Sequence, residues 1–504
     1  MAKHTKHFFS FLVKVLKSKF LVLFAFAVVL RAIPEFLSGV YPVGFDALAG
    51  YVPSVLALPG TTPMKLFGWT YSPLAIYLLW SIRVLTGGDV YLLLKTVGPV
   101  FYGLFTVSFY FMLSHGLGWN GKKSFVVSLM FLLQPAVMRT GWDQLREELG
   151  LILLFVLLGV IKLDLVKGVK SKPLLILGLS VLIVFSHQLV AILFFIVVIF
   201  QLLNVLIQKR KMGWSALAVL VPSASLFVWQ LYGQFVNPAF DTHFVPLSLP
   251  NGTGNFAFTN YFLSDPRFVG GDYFTILAYV CNLSLYVVVP LIPLAFKGFF
   301  KDKVFLPMLA WLLASSYSIV IFPWYALSYY WFWTFLLPIP LTVYAGHGLD
   351  RMGAFTNGKH SRKLIIGILL LGIVAFSYAS SKTIVGYPLA YTYMPPGLVK
   401  SCVDFDDIAD IEQAFDWTNE HIPLNAMIVV PEKFQGFAII NSRDDIRIRV
   451  APALLNFNGV AHLIGDAQGS YFVIYYWSEM GDYDEQTTIQ LFTIGNVAVY
   501  HKIA

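Results

Sequence analysis

The chain has 504 residues, of which 58% are apolar and 12% charged, and its mean hydropathy is +0.72. That composition excludes a soluble globule and reads as a polytopic membrane protein. The formal charge of +8 averages two unlike parts. Of the 27 acidic residues 15 lie after Thr383, against 6 of the 35 basic ones, so the tail carries −9 and the preceding part +17.

Apolar runs of about 20 residues, long enough for a helix to cross a bilayer, recur from Phe20 to about Ala379. Lys and Arg mark cytoplasmic loops. They cluster at Lys3 to Lys19, Lys122-Lys123, Lys167 to Lys172, Lys209 to Lys211, Lys297 to Lys303 and Arg351 to Lys363. Each interval between neighbouring clusters is too long for one pass: Pro173 to Gln208 would measure roughly 54 Å as a single helix, against a hydrocarbon core of about 30 Å. Each interval is therefore read as a hairpin. With a last span from Leu364 to about Ala379, the chain is expected to cross about eleven times, its amino terminus cytoplasmic and its acidic tail outside. The predicted fold is a polytopic α-helical membrane domain over residues 1–382 and a small α/β extracytoplasmic domain over 383–504, in a plasma membrane.

The basic start and the apolar stretch from Phe20 to Leu30 read as an uncleaved signal anchor, because the run ends in Arg31-Ala-Ile-Pro34 rather than at a small-residue cleavage site. The first outer loop, residues 34–89, is predicted to hold two juxtamembrane helices, one after Asp46 and one from Tyr71-Ser72-Pro73-Leu74 to Leu85. The next full span is Val90 to about Leu117. Spans three and four are joined by Arg139-Thr-Gly-Trp-Asp143-Gln-Leu-Arg146-Glu147-Glu148 on the same outer side. Cys281 and Cys402 show no disulfide or metal spacing.

Further along, the outer loop Gln234 to Gly271 carries Asp241, His243, Asp265 and Arg267 among Pro, Gly and Asn, and its length suggests a mobile lid or an acceptor contact. Asn251-Gly-Thr253 is a sequon of low weight. Trp324-Tyr325 and Tyr329 to Trp333 fit an aromatic interface belt better than a sugar platform. In the tail, Ile408 to His421 has helical periodicity, and strands are predicted at Ala426 to Pro431, Phe437 to Ile440, Ile446 to Val450, Tyr471 to Trp477 and Val497 to Ile503.

In order and on one side, Gly44-Phe45-Asp46 after span one, Tyr71-Ser-Pro-Leu74, Gly87-Gly88 before span two, and Arg139 to Glu148 resemble the glycosyltransferases of the C superfamily (GT-C). These are integral membrane enzymes that use polyprenyl-phosphate sugars, with protein mannosyltransferases and aminoarabinose transferases among them. The resemblance covers nearly the whole chain and places a catalytic base at Asp46. It implies a polyprenyl-phosphate-linked sugar donor, a glycan, lipid or protein acceptor, contact with membrane lipids, and no nucleic acid.

The chemistry agrees with that assignment. Moving a sugar from a phosphate to a hydroxyl needs a base for the acceptor proton and positive charge for the departing phosphate. Asp46 is the candidate base; the plainer alternative is an N-cap of the helix that follows. Arg139 and Arg146 are the candidate phosphate ligands, since a planar guanidinium suits bidentate binding. Asp143 shares a helix face with Arg146 at i and i+3, and Glu147 and Tyr71 are supporting candidates. The plainer alternative has these charges capping the loop, with Glu147 and Glu148 solvated. His187, at the tip of the hairpin Ser186-His187-Gln188, and Arg31, near the outer end of span one, are further phosphate candidates; a satisfied buried imidazole and a snorkelling arginine are their alternatives.

Family members that act on diphosphate-linked oligosaccharides hold a divalent ion with paired acids. Asp46 has no adjacent second acid, and the tail lacks a Trp-Trp-Asp-Tyr-Gly signature, so a monophosphate donor without metal or other cofactor is favoured. An oligosaccharyltransferase-like enzyme using a diphosphate donor, a lipid-linked sugar transporter and a nonenzymatic scaffold stay open.

Overall fold

The computed structural model describes residues 18–44, 46–58, 73–134, 137–138, 140–141, 144–165, 173–207, 220–230, 244–246, 291–299, 308–312, 325–327, 336–355, 363–364, 367–368, 403, 405–451, 471–477 and 488–502. Helix α1 is Lys19–Leu37. It continues through Arg31 and Pro34 into the first residues of the predicted outer loop. Proline lacks the N–H that an interior helical residue donates, but Ser38 N–H still reaches the Pro34 carbonyl at 3.0 Å and closes the last turn. A π-turn, Ala47–Tyr51, then leads into the short α2, Val52–Ala57, and α3 is Pro73–Thr86. These two short helices occupy the places predicted for the juxtamembrane pair.

Helix α4, Val90–Phe111, begins where Asp89 accepts the N–H groups of Tyr91 and Leu92 at 2.8 and 3.0 Å. It continues through the π-turn Met112–Gly116, and the resulting 27-residue helix is, among the described residues, the one long and apolar enough to cross a membrane. It coincides with the predicted second span. Helix α1 lies directly on it, and two glycines set the distance. A Cβ at Gly103 would meet Phe24 and Val28 at 2.7 Å, and one at Gly98 would meet the Arg31 guanidinium at 3.2 Å.

Helix α5, Gly121–Leu132, is capped by Asn120, and α6, Leu145–Leu165, packs beside α4. An aromatic seam fills the space between them: Phe109 stacks on Phe131 at 4.1 Å, and Phe155 lies 5.6 Å from Phe105 and 6.0 Å from the buried Trp311. Helices α7, Pro173–Ser186, and α8, Gln188–Ile207, meet at a one-residue break at His187. Helices α9, Ile292–Phe299, and α10, Pro338–Arg351, touch backbone to backbone, since a Cβ at Gly298 would run into the Tyr344 carbonyl and one at Gly348 into the Leu294 carbonyl. Two short strands, β1 (Phe244–Pro246) and β2 (Tyr325–Leu327), pair antiparallel.

The tail contains a five-stranded mixed sheet: β3 Met427–Pro431, β4 Arg447–Ala451, β5 Tyr471–Tyr476, β6 Thr488–Ile494 and β7 Val497–Lys502, in the order β4-β3-β5-β7-β6. Strand β3 is parallel to β4 and β5, while β7 is antiparallel to β5 and β6. All six residues of β5 are buried, as a central strand requires. Helix α11, Ile408–His421, has the predicted bounds. The strand predicted at Phe437 to Ile440 is instead helix α12, Gln435–Asn441, and β6 was not predicted.

Candidate functional site

Asp46 stands at the end of a short segment that leaves α1 through two left-handed glycines, Gly39 (φ +66°) and Gly44 (φ +113°). Side chains rarely adopt such backbone angles, so glycine is what lets the chain double back here. Asp46 itself is helical (φ −64°, ψ −25°) and its side chain makes no capping bond to the turn it precedes. The capping alternative therefore does not describe it. The carboxylate is partly buried and its charge acts on Arg146 and Tyr51.

Tyr51 joins the two halves of this cluster. Its hydroxyl accepts the backbone N–H of Arg146 at 3.2 Å, and its ring centroid is 5.7 Å from the Arg146 guanidinium carbon. Burial pushes the Tyr51 hydroxyl well above its ordinary range, so the group stays protonated. That Tyr51 closes a π-turn is notable, because such turns re-aim side chains at functional sites.

Arg146 lies in the first turn of α6, followed by Glu147 and Glu148. Both glutamates are buried, 5% and 0% exposed, so the expectation of a solvated acidic pair beside the arginine does not hold. Glu147 Oε1 is 3.3 Å from His187 Nε2, which brings the α7–α8 break against the start of α6. Gly150 permits that approach, as a Cβ there would meet Ser186 Oγ at 2.6 Å. Gln144 and Glu148 are buried with no side-chain hydrogen-bond partner among the described residues. The sequence-predicted Asp46, Arg146, Glu147 and His187 thus belong to one neighbourhood.

Arg31 is 2% exposed, so it does not snorkel to head groups. Its Nη1 is 2.7 Å from Glu35 Oε1 on the next turn of α1, and its Nε donates to the Gly141 carbonyl at 2.7 Å. Gly141 must be glycine here because a Cβ would collide with the Tyr102 ring. Glu35 in turn accepts the Val43 N–H at 3.0 Å, and Lys95 of α4 binds Ser38 Oγ at 2.9 Å and the carbonyls of Glu35, Gly39 and Tyr41. Sequence reasoning missed Glu35, Tyr51 and Lys95. An acid four residues after Arg31 was the available signal, obscured by reading Pro34 as a stop.

Tyr71, Arg139, Asp143, Asp241, His243 and Arg267 lie outside the described residues. Among the described residues no three His, Cys, Asp or Glu side chains group as metal ligands.

No protein-family model matches the chain, and no curated protein matches it. Among solved structures, the chain is similar to the arabinofuranosyltransferase AftD from Mycobacteria, with 14% identity and a TM-score of 0.48 over 95% of this chain. A mutant form of the same enzyme gives 12% identity and the same TM-score over 95% of this chain. The chain spans about two-fifths of the length of those structures, 40% and 41%.

Proposed function

We propose that this protein is a membrane glycosyltransferase that moves one sugar from a polyprenyl monophosphate to a hydroxyl of a glycan, lipid or protein on the outer side of the membrane, with inversion. The observation that carries this reading is the convergence of Asp46 and Tyr51 with Arg146, more than 90 residues apart in sequence. The acceptor oxygen attacks the anomeric carbon as the bond from that carbon to the phosphate oxygen breaks. Asp46 takes the acceptor proton, and the leaving phosphate keeps the bonding electrons as polyprenyl phosphate. Arg146, with Arg139 from the same loop, binds the phosphate and offsets its growing charge. Glu147 orients His187, which offers a further contact to the phosphate, and Asp143 and Tyr71 support the loop.

Arg31 has a positioning part in this scheme: engaged by Glu35 and Gly141, it fixes the start of the 140–148 segment against α1. Asp241, His243 and Arg267 are assigned to acceptor contact. Composition, the crossing helix Val90–Gly116 and the basic clusters support a multi-pass plasma-membrane protein with about eleven spans. Contact between the Tyr41 segment and the C-terminal domain supports placing the first loop and the tail together outside the cytoplasm.

The test is sugar transfer by the purified chain in lipid nanodiscs, with polyprenyl-phosphate hexoses and pentoses and a crude acceptor extract, for wild type and Asp46→Asn, with and without EDTA. Transfer that survives EDTA and disappears in folded Asp46→Asn is the expected outcome. Undiminished transfer by Asp46→Asn overturns the assigned base, EDTA sensitivity favours the metal-dependent diphosphate-donor reading, and no transfer with any donor favours a transporter.

A further inference from the structure

The segment that carries Asp46 is gripped from two sides. From the membrane part, Lys95 holds the carbonyls of Gly39 and Tyr41 at 2.8 and 3.0 Å, and Glu35 holds the Val43 N–H. From the C-terminal domain, Glu412 on α11 accepts the Tyr41 hydroxyl at 2.8 Å, and Asn441 at the end of α12 donates its Nδ2 to the same oxygen at 3.2 Å. The Tyr41 ring is met edge-on by Phe437 of α12 at 5.1 Å and by Tyr91 of α4 at 5.6 Å. Helix α12 also packs against the 47–51 turn itself. Asn441 is fixed in its turn, its carbonyl accepting Asn419 Nδ2 of α11 at 2.6 Å. Burial pushes the Tyr41 hydroxyl well above its ordinary range, so it keeps its proton and remains a donor to Glu412.

We infer that Tyr41, Glu412 and Asn441 form a latch through which the C-terminal domain positions Asp46. These are positioning residues, and the inference rests on the reading of Asp46 as the base. Between Ser38 and Gly44 the chain has no helix or strand of its own, and two of its residues are glycines in the left-handed region. Its conformation is therefore set by what it touches. A base displaced by about 1 Å can lose up to about a hundredfold in rate, which makes a contact five residues upstream consequential. The tail on this account holds part of the active site in place.

Wild type, Tyr41→Phe, Glu412→Gln, Asn441→Ala and Asp46→Asn are compared as full chains in nanodiscs, reading transfer kinetics and amide exchange over residues 40–52. Tyr41→Phe keeps the ring packing and loses the hydroxyl. Its exchange over 40–52 is expected to rise and its kcat to fall about tenfold, with the donor KM unchanged. Glu412→Gln retains an acceptor oxygen and is expected to lie closer to wild type. Unchanged exchange in Tyr41→Phe overturns the latch, whatever Asp46→Asn does, and faster exchange with unchanged kcat overturns the positioning role. Faster exchange together with an active Asp46→Asn protein overturns Asp46 as base while the domain's hold on the loop stands. If Tyr41→Phe does not fold, Asn441→Ala decides by the same criteria.

Discussion

Arg31 and Arg146 are both arginines at the edge of apolar helices, yet they are neutralised in different ways. Arg31 finds Glu35 one turn along its own helix and a carbonyl across the interface, and it is almost wholly shielded. The ion pair lies within one helix, and the carbonyl ties it to the 140–141 segment. Arg146 is partly exposed and draws on Asp46 from the first loop, Glu147 from its own turn and the Tyr51 ring. Its environment exists only when the 46–51 turn has met α6. A fully shielded cation in a close ion pair suits a structural anchor, whereas a partly exposed cation beside a carboxylate and an aromatic ring suits a ligand with charge of its own.

The comparison breaks first at the carboxylates. Asp46→Asn is expected to cut transfer by about 10²- to 10⁴-fold, the usual worth of a positioned base, without shifting the thermal unfolding of the protein in nanodiscs. Glu35→Gln is expected to do the reverse and lower stability by about 3 to 5 kcal/mol, because it removes the ion-pair partner of a buried arginine. A double change of Arg31→Met with Glu35→Leu should recover only part of that loss, since it removes both charges together but still takes the partners from the Gly141 carbonyl and the Val43 N–H. Unfolding midpoints of the single and double variants check this. A Glu35→Gln protein as stable as wild type would remove the distinction between the two arginines.

A smaller effect sharpens the other side. Arg146→Lys keeps the charge but loses the planar fork, and it is expected to lower kcat/KM about tenfold to a hundredfold, the equivalent of one charge-assisted hydrogen bond. Lys at position 31 would have no comparable consequence for the donor. Transfer kinetics across donor concentration separate the two, since the loss at position 146 should follow the phosphate.

The parts of this arrangement legible in the sequence are those that repeat over enough residues or break a pattern sharply. Helix α11 was read to its bounds because fourteen residues carry a clear 3.6 period, and the crossing helix because its apolar run exceeds what a bilayer needs. Phe437 to Ile440 is four apolar residues, too short for a period to choose between strand and helix, and the fold made it the helix that meets Tyr41. Strand β6 was missed because its exposed residues run Ile489, Gln490, Leu491 without alternation, and its register shifts between Gln490 and Phe492. At the site, the family resemblance and the needs of phosphate chemistry pointed to Asp46 and Arg146, and ionisable groups at apolar depth pointed to Arg31 and His187. Tyr51 and Tyr41 carried no such signal, since an aromatic residue in an apolar helix or loop reads as packing until the structure shows what its hydroxyl touches.

The smallest expected effect lies in the tail and separates its own cohesion from its hold on the loop. Asp445 accepts the Asn425 N–H at 2.9 Å and the Arg443 Nε at 3.1 Å, joining the turns before β3 and β4, and Asn425 takes a left-handed φ of +59° to reach it. The backbone bond from Asn425, aided by the Arg443 guanidinium, holds the Asp445 carboxyl below its ordinary range. A carboxyl more acidic in the folded than in the unfolded state adds stability that is fully present above its unfolded pKa, about 4, and is lost as the pH falls through the folded value. Asp445 is exposed, so the contribution is slight. Amide exchange at Asn425 should therefore quicken as the pH drops below about 4, after correction for the intrinsic rate, and Asp445→Asn should remove that dependence. Exchange over residues 40–52 should follow it only weakly, because Asp445 reaches the latch at second hand: Arg443, which it pairs with, binds Asn419, and Asn419 in turn holds Asn441. A parallel change in both segments would show that the domain loosens as one body, and would make the latch at Tyr41 a consequence of the domain's overall stability.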